Sequence, residues 1–311
     1  LFISGVSRLL TEALFTFLLF LTVFYVYRTK EKLTYVNMCI LGIVIALLAL
    51  TKAITILFLP FLFLALTIAR YYHFMSLKKA VKGFLVIFIA FLIPVSIWTY
   101  RNYKVYDAII PISTQSGYAF YSCYFPRDGK VYGVNAADDN VSYAASLNSE
   151  IKMGKYLQGK VFEFIKKHPF KTLKLELLKI FYFWVPFDWE IMGKSGGIYN
   201  FQYMFMLPFS LLGMFLLLRK FDQYAPLYIP IAYLFLMSLV FYGSPRMRMP
   251  IEPYLIIFFA VGIFRFFKMF KNRYIPAVIS VSYFFINFMM FLYSDSAKIL
   301  FKNGAKCLGV W

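Results

Sequence analysis

The stretch VNMCILGIVIALLALTKAITILFLPFLFLALTIA, from Val36 to Ala69, contains a single charged residue, Lys52. One membrane helix needs about 20 apolar residues to cross roughly 30 Å of hydrocarbon, so this stretch is too long for one helix. Thr51 and Lys52 interrupt it, and Pro60 lies further on. The pattern therefore predicts two short membrane helices with Lys52 at the turn between them.

The composition of the whole chain also points to a membrane protein. Apolar types make up 61% of its 311 residues and charged types 15%, whereas soluble domains contain about 45–50% and about 25%. A soluble protein with so few polar side chains could not cover its surface. The hydrophobicity excludes disorder, and three cysteines cannot form the disulfide framework of a small secreted domain. These cysteines are Cys39, Cys123 and Cys307.

The net charge is +19, from 33 lysines and arginines against 14 aspartates and glutamates. In a soluble protein this excess would suggest nucleic-acid binding. Here the basic residues lie mostly between apolar runs, where they orient membrane helices and meet anionic lipid. We therefore expect these cations to meet membrane lipid and not nucleic acid.

Six further apolar runs are long enough to be membrane helices. We therefore predict an all-α membrane protein, a polytopic helical bundle of about eight transmembrane helices with a small extracytoplasmic segment. The six runs are Leu9 to Tyr27, Phe84 to Tyr100, Tyr199 to Leu218, Tyr224 to Tyr242, Ile251 to Phe267 and Tyr274 to Tyr293.

The middle segment differs from the rest because Gly, Ser, Asn and Asp cluster in it, which indicates turns in an aqueous segment. Inside it, Thr172 to Val185 is amphipathic, with Lys174 and Lys179 opposite apolar side chains. This pattern predicts a helix along the membrane interface. The predicted domains are the N-terminal membrane helices (1–100), the extracytoplasmic segment with the interfacial helix (101–198), the C-terminal membrane helices (199–293) and a tail (294–311).

The positive-inside rule orients the bundle, since basic loops favour the cytoplasmic side. The segment 101–198 and the turn at 243–250 then lie outside. The basic tail would also lie outside, which fits poorly, so either it is an interfacial helix or the last predicted span is wrong. The basic loops assigned to the cytoplasm are 28–34, 70–82, 219–223 and 268–273.

Lys52 and Glu12 are charged residues within or at the start of a predicted span, where charges are costly and tend to be functional. Lys52 would point to the extracytoplasmic mouth, where it could hold a phosphate as a point charge. The alternative is a turn lysine that only reaches out to the interface. Glu12 follows Thr11 at the start of the first span. It either supports the same site or is an acid that suits the helix dipole.

The sequence SPRMRMPIEP, from Ser244 to Pro253, carries two arginines in a turn predicted to lie outside. Its three prolines stiffen the backbone. Alternate residues of an extended segment point the same way, so we expect Arg246 and Arg248 to offer two guanidinium groups to one phosphate or pyrophosphate. Glu252 is expected to pair with one of them. The alternative is an interfacial loop whose arginines only contact lipid head groups.

Three further residues bear on the chemistry of the predicted site. Arg101 ends a predicted span and is by itself an ordinary interfacial anchor. His73 and His168 have no partners at metal-ligand spacing, so we predict no zinc site. The sequence shows no cofactor motif, and a requirement for a divalent metal stays open.

Several of these stretches, in this order, resemble the polytopic C-type glycosyltransferases (GT-C), specifically the bacterial branch that is similar to protein O-mannosyltransferases and to the aminoarabinose transferase of lipid A. The resemblance extends from Leu9 to about Phe267 and rests on order and spacing, because no single motif is specific. The stretches are Thr11-Glu12, Leu50-Thr51-Lys52, Tyr100-Arg101-Asn102-Tyr103, Pro111 to Gly117, His168-Pro169 and Arg246 to Pro253.

The resemblance implies a glycosyltransferase of the cell envelope. Such an enzyme moves a sugar from a polyprenyl-phosphate donor to a lipid, glycan or protein acceptor on the outer face of the cell membrane. Its catalytic carboxylate is expected in an extracytoplasmic loop before the span that begins with Thr11-Glu12. The sequence begins at Leu1, not Met, so we expect an N-terminally truncated, inactive fragment whose general base lies upstream of Leu1.

Sugar transfer needs a base for the acceptor's proton and cations for the leaving phosphate. Two other functions stay open. A lipid or polysaccharide transporter or flippase shares the broken helix but typically has inverted repeats. A non-catalytic paralogue is the other alternative, since a fold does not establish chemistry. The residues assigned to the donor phosphate are Arg246, Arg248, Lys52 and Arg101.

Overall fold

A computed structural model describes most of the chain. The described residues are 11–71, 76–125, 138–188, 198–272 and 274–293. The predicted start of the first span at Leu9 and the predicted tail at 294–311 lie outside them.

Four helices form the N-terminal part of the bundle. The last of them continues past its predicted end at Tyr100 to Tyr106, where Asp107 stops it in the left-handed conformation with a φ of 50°. The elements are α1 (Thr11–Glu31), α2 (Tyr35–Thr51), a 3-10 turn (Ala53–Thr55), α3 (Phe58–Ile68) and α4 (Leu77–Tyr106).

The middle segment contains four helices and a two-residue antiparallel β pair, in which Phe187 lies opposite Tyr199. Two of its helices begin with N-caps, because Asp138 accepts from the amide of Val141 and Ser149 from that of Lys152. The elements are α5 (Ser116–Tyr124), α6 (Asp139–Ser146), α7 (Glu150–Lys167), α8 (Pro169–Trp184), β1 (Phe187–Asp188) and β2 (Ile198–Tyr199).

The C-terminal part returns to long apolar helices. Its elements are α9 (Phe201–Leu217), a 3-10 turn (Leu218–Lys220), α10 (Phe221–Val240), α11 (Pro245–Arg248), a second 3-10 turn (Met249–Ile251), α12 (Glu252–Lys268) and α13 (Tyr274–Leu292).

Five helical stretches of the described residues are long and apolar enough to cross a membrane, and two shorter apolar helices, Tyr35–Thr51 and Ala53–Ile68, accompany them. Large apolar side chains of α13 are exposed, as a lipid-facing helix requires. The helical membrane class is therefore confirmed in outline. The five stretches are Thr11–Glu31, Lys78–Tyr106, Phe201–Val240, Pro245–Lys268 and Tyr274–Leu292.

The predicted break at Lys52 is present. Lys52 has an extended backbone (φ −140°, ψ 110°) between α2 and the following 3-10 turn. The hydroxyl of Thr55 donates to the carbonyls of Leu48 (3.2 Å) and Lys52 (2.8 Å). The same two carbonyls also accept from backbone amides, that of Leu48 from Lys52 and that of Lys52 from Thr55. The carbonyls at the break therefore have partners inside an apolar bundle.

Two pairs of helices approach so closely that glycine is required at the contact. A Cβ on Gly42 of α2 would lie 2.3 Å from the carbonyl oxygen of Ile87 in α4. Gly213 of α9 and Gly262 of α12 face each other in the same way, since a Cβ on Gly262 would lie 1.8 Å from the carbonyl oxygen of Phe209. Small residues at helix crossings are typical of membrane bundles.

The contacts along α9 and α12 show that these helices run parallel. The guanidinium of Arg248 lies over the ring of Tyr203, the hydroxyl of Ser210 donates to the carbonyl of Leu255, and further along Gly213 meets Gly262. The residue numbers of the contacting partners therefore increase in the same direction along both helices. By contrast, α1 and α2 form an antiparallel hairpin, because Glu12 at the start of α1 contacts Lys52 after the end of α2.

The structure corrects one expectation for the middle segment. Lys179 of α8 was expected on a polar face, but its side chain is 1% exposed. Its ammonium donates to the Glu176 carboxylate (2.9 Å) and to the carbonyl of Leu239 (2.8 Å). A Cβ on Gly243 would lie 1.9 Å from the carbonyl oxygen of Lys179. The end of α10 thus covers the polar side of α8.

Candidate functional site

One buried carboxylate joins three distant parts of the sequence. Glu12, in the first turn of α1, is 1% exposed. Its Oε1 accepts from Lys52 Nζ at 3.0 Å and from Arg246 Nε at 2.6 Å. We call Glu12, Lys52 and Arg246 the cationic trio, because it combines two cations with one carboxylate.

The two cations of the cationic trio remain accessible, although the carboxylate is buried. The Lys52 side chain is 17% exposed and that of Arg246 is 40% exposed. The ammonium of Lys52 also lies 5.1 Å from the centre of the Phe15 ring, a favourable cation–π distance. The three side chains of the trio therefore carry two positive charges and one negative charge at a partly buried surface. An anion binds more strongly there than in bulk water.

The expectation that Arg246 and Arg248 lie side by side is wrong. Pro245–Arg248 is a helical turn and not an extended segment. In a helix each residue turns about 100°, so side chains two positions apart point in nearly opposite directions. The prolines that suggested a stiff loop stand at the first positions of helical turns, where proline is favoured because its missing N–H is not needed there.

Arg248 points into the protein and is 0% exposed. Its Nη1 donates to the carbonyls of Phe183 (2.7 Å) and Val185 (3.0 Å) at the end of α8. Its guanidinium carbon lies 3.6 Å from the centre of the Tyr203 ring. Glu252 lies 3.6 Å from its Nε, so the predicted pairing of Glu252 with one arginine is present. Arg248 therefore joins helices and does not reach an external phosphate.

Arg101 is exposed and stands apart from the cationic trio in its described contacts. Its Nη1 donates to the Asn102 side-chain oxygen at 3.1 Å, and its guanidinium lies 5.2 Å from the Trp98 ring. Asn102 is buried, and its side-chain amide donates to the carbonyls of Ile110 and Ile112. This part of α4 therefore anchors the beginning of the middle segment.

The trio lies at the end of the bundle opposite the basic loops. Glu12 begins α1, a helix about 30 Å long, whereas Arg28 and Lys30 lie in its last turn. The segment that contributes Arg246 supports the same placement of the trio. Arg246 precedes α12, whereas Lys268 lies in the last turn of that helix.

Sequence reasoning missed a second buried polar cluster in the middle segment. Burial lowers the pKa of Lys179, opposed by the nearby Glu176 carboxylate. The hydroxyl of Tyr124 donates to the same Glu176 oxygen at 2.9 Å, and the Lys179 ammonium lies 4.1 Å from the Tyr124 ring. The spacing of Glu176 and Lys179, three residues apart on a helix, was the available signal.

The described residues contain no group of three or more His, Cys, Asp or Glu side chains that could hold a metal ion. A comparison of the chain with known protein families, curated proteins and solved structures finds no match.

Proposed function

We propose that the protein is a multi-pass glycosyltransferase of the cell membrane that uses a polyprenyl-phosphate sugar as donor. The acceptor is a lipid, glycan or protein at the extracytoplasmic face. The observation that supports this proposal is the convergence of Lys52 and Arg246 on the buried Glu12 carboxylate.

The chemistry of the reaction explains why such a group of residues is useful. An acceptor oxygen attacks the anomeric carbon, a base takes its proton, and the lipid phosphate leaves with negative charge. Cations already held in position stabilise that charge without reorganising during the reaction. Glu12 holds both cations through one oxygen, so we assign it to positioning and not to the role of base.

In this proposal Lys52 and Arg246 contact the donor phosphate. Lys52 acts as a point charge on a helix break, and Arg246 offers a planar guanidinium that uses its Nε for Glu12. Arg101 is a weaker candidate, and Arg248 instead holds the end of α8 near the site.

The proposed eight-span topology would make the site extracytoplasmic. It requires α9 and α12 to start on the same side of the membrane, which agrees with their parallel packing through Gly213 and Gly262. The same topology puts the cationic trio on the side opposite the basic loops. Sugars activated on a lipid, and not on a nucleotide, suit a reaction on that side.

A transporter or flippase for lipid-linked saccharides is the second candidate. The observation that favours it is the helix break at Lys52, because broken helices at membrane depth often line a substrate path. A transporter would move the lipid-linked sugar without cleaving the sugar–phosphate bond.

Binding to the donor phosphate can be measured separately from sugar transfer. The protein is reconstituted in nanodiscs of a zwitterionic phospholipid, and binding of a fluorescent polyprenyl phosphate is titrated. Lys52→Ala and Arg246→Ala should each weaken binding by about tenfold or more, since one charge-assisted hydrogen bond contributes about 1.5–3 kcal/mol. Arg219→Ala removes an exposed arginine of a basic loop and serves as the control. Unchanged binding in both trio variants would overturn the assignment.

Sugar transfer by the protein in vesicles separates the enzyme from the transporter. Release of free polyprenyl phosphate, together with labelled acceptor, supports the enzyme. Movement of intact donor across a vesicle membrane, without cleavage, supports the transporter and contradicts the proposed function.

A further inference from the structure

A cavity of about 460 Å³ opens at the other end of the bundle, between α1, α2, α3 and α4. Its volume is in the range of small-molecule sites in proteins. The floor of the cavity is apolar and fully buried. Residues of this floor are Met38, Leu41, Leu59, Leu62 and Leu66.

The mouth of the cavity differs from its floor. Leu33, Thr67 and Arg70 line it and are exposed. Arg70 is the one charged residue among the described residues that line the cavity. An apolar interior with a cation at the entrance matches a molecule with a long hydrocarbon chain and an anionic head.

The backbone of Arg70 is in a conformation that favours glycine, with a φ of 52°. Arg70 follows the end of α3, where the amide of Tyr71 donates to the carbonyl of Leu66 and that of Arg70 to the carbonyl of Thr67. This helix ending normally has glycine at the left-handed position. A residue with a Cβ is strained in this conformation, so the strain lies at the residue that carries the charge.

Other cations surround the same end of the bundle. Lys30 lies 4.0 Å from the ring of Tyr71, next to Arg70 in sequence, and Lys82 lies 5.8 Å from the ring of Tyr35. Lys78 and Lys79 begin α4. Each cation near the membrane surface attracts anionic lipid.

We propose that this cavity binds one acyl chain of an anionic membrane phospholipid, with the lipid phosphate at Arg70. The site is separate from the cationic trio, because it lies at the opposite end of α1: Thr29 lines the cavity and Glu12 belongs to the trio. The bound lipid fills the space between α2, α3 and α4 and holds the ends of these helices in place. The inference does not depend on the proposed enzymatic function.

The test measures lipid preference in nanodiscs. Bound phospholipid is quantified by native mass spectrometry after exposure to equal amounts of phosphatidylglycerol and phosphatidylcholine with identical acyl chains. The unchanged protein should retain phosphatidylglycerol in preference. Arg70→Gly should reduce that preference by about tenfold, the effect of one charge-assisted contact, while the thermal unfolding midpoint stays equal or rises because glycine relieves the backbone.

A second variant tests the cavity itself. Ala80 lines it, and Ala80→Phe should occupy the space of the acyl chain and reduce retention of both lipids. The proposal is overturned if Arg70→Gly retains phosphatidylglycerol as the unchanged protein does, or if Ala80→Phe has no effect on retention. Displacement of phosphatidylglycerol by an equimolar polyprenyl phosphate would also overturn it, since the cavity would then belong to the isoprenoid chain of the donor.

Discussion

Replacing Arg248 by alanine should destabilise the protein strongly, whereas the same change at Arg246 should not. The two residues are two positions apart, but Arg248 is 0% exposed and Arg246 is 40% exposed. Without Arg248, the carbonyls of Phe183 and Val185 lose their donor, and Glu252 loses the cation 3.6 Å away.

The magnitude follows from the contacts of Arg248. Each hydrogen bond of a charged donor contributes about 1.5–3 kcal/mol, and a desolvated cation–π contact about 2 kcal/mol. These values do not add, because the buried guanidinium also carries a desolvation cost. Removing one partner of a buried ion pair costs about 3–5 kcal/mol overall. We therefore expect a loss of about 4 kcal/mol, which lowers the unfolding midpoint on the order of 10 °C.

Labelling of a buried cysteine provides the assay. Cys123 is 1% exposed, and burial raises the pKa of its thiol to about 12, so the folded protein reacts slowly with a thiol-specific fluorophore. In a background with Cys39 and Cys307 replaced by alanine, fluorescence during heating in detergent at a fixed pH reports unfolding around Cys123.

Arg246→Ala is the matched control, and we expect a change in midpoint of less than 3 °C because its guanidinium is partly solvated. Arg248→Lys keeps a charge but loses the planar group that contacts two carbonyls and the Tyr203 ring, so its midpoint should lie between those of the alanine variant and the unchanged protein. Equal midpoints for Arg248→Ala and Arg246→Ala would refute the structural role of Arg248.

Two further predictions concern other parts of the chain. Gly262→Ala should destabilise the protein by about 1–3 kcal/mol, since its Cβ would lie 1.8 Å from the Phe209 carbonyl oxygen. Gly159→Ala, whose Cβ meets nothing within 4 Å, should instead stabilise α7 by about 0.5–1 kcal/mol. Thermal unfolding in detergent compares the two variants, and equal effects would contradict the close crossing of α9 and α12. The raised pKa of Cys123 contributes stability that is fully present below pH 9 and is lost as pH rises toward 12. Between pH 9 and 10, Cys123→Ala should therefore lose stability less steeply than the unchanged protein, by up to about 1.4 kcal/mol per pH unit in chemical unfolding. Identical slopes would show that the thiol does not titrate in this way.

The helices could be predicted because a membrane imposes a rule that local sequence obeys. Long apolar runs bounded by cations become spanning helices, since backbone groups have no other partners in hydrocarbon. The break at Lys52 was predictable for the same reason, because a charge in the middle of such a run disturbs it. The end of α4 was less predictable: Arg101 was taken as a boundary, but the helix continues to Tyr106, since a helix continues in water where nothing stops it.

The burial of Lys179 and Arg248, and the exposure of Arg246, could not be predicted from local sequence patterns. Helical periodicity assigns a side chain to a face, but it does not show what packs on that face. Lys179 is buried because the end of α10 supplies the Leu239 carbonyl for its ammonium and Gly243, just after α10, packs on α8. These contacts join residues far apart in sequence. Arg248 is buried because the end of α8 supplies carbonyls for it. Both side chains satisfy backbone groups at helix ends, which have few partners of their own.

The sequence left alternatives open for Lys52 and Glu12, two members of the cationic trio. A lysine that reaches from a turn to the interface, and an acid that only suits a helix dipole, need no common partner. In the structure Lys52 and Glu12 are partners, and Arg246 shares the same carboxylate oxygen. The Arg246 side chain is 40% exposed and that of Lys52 is 17% exposed, so an anion from outside has access to both cations. This access is why binding of a phosphate, rather than stability alone, is the measurement that matters at this site.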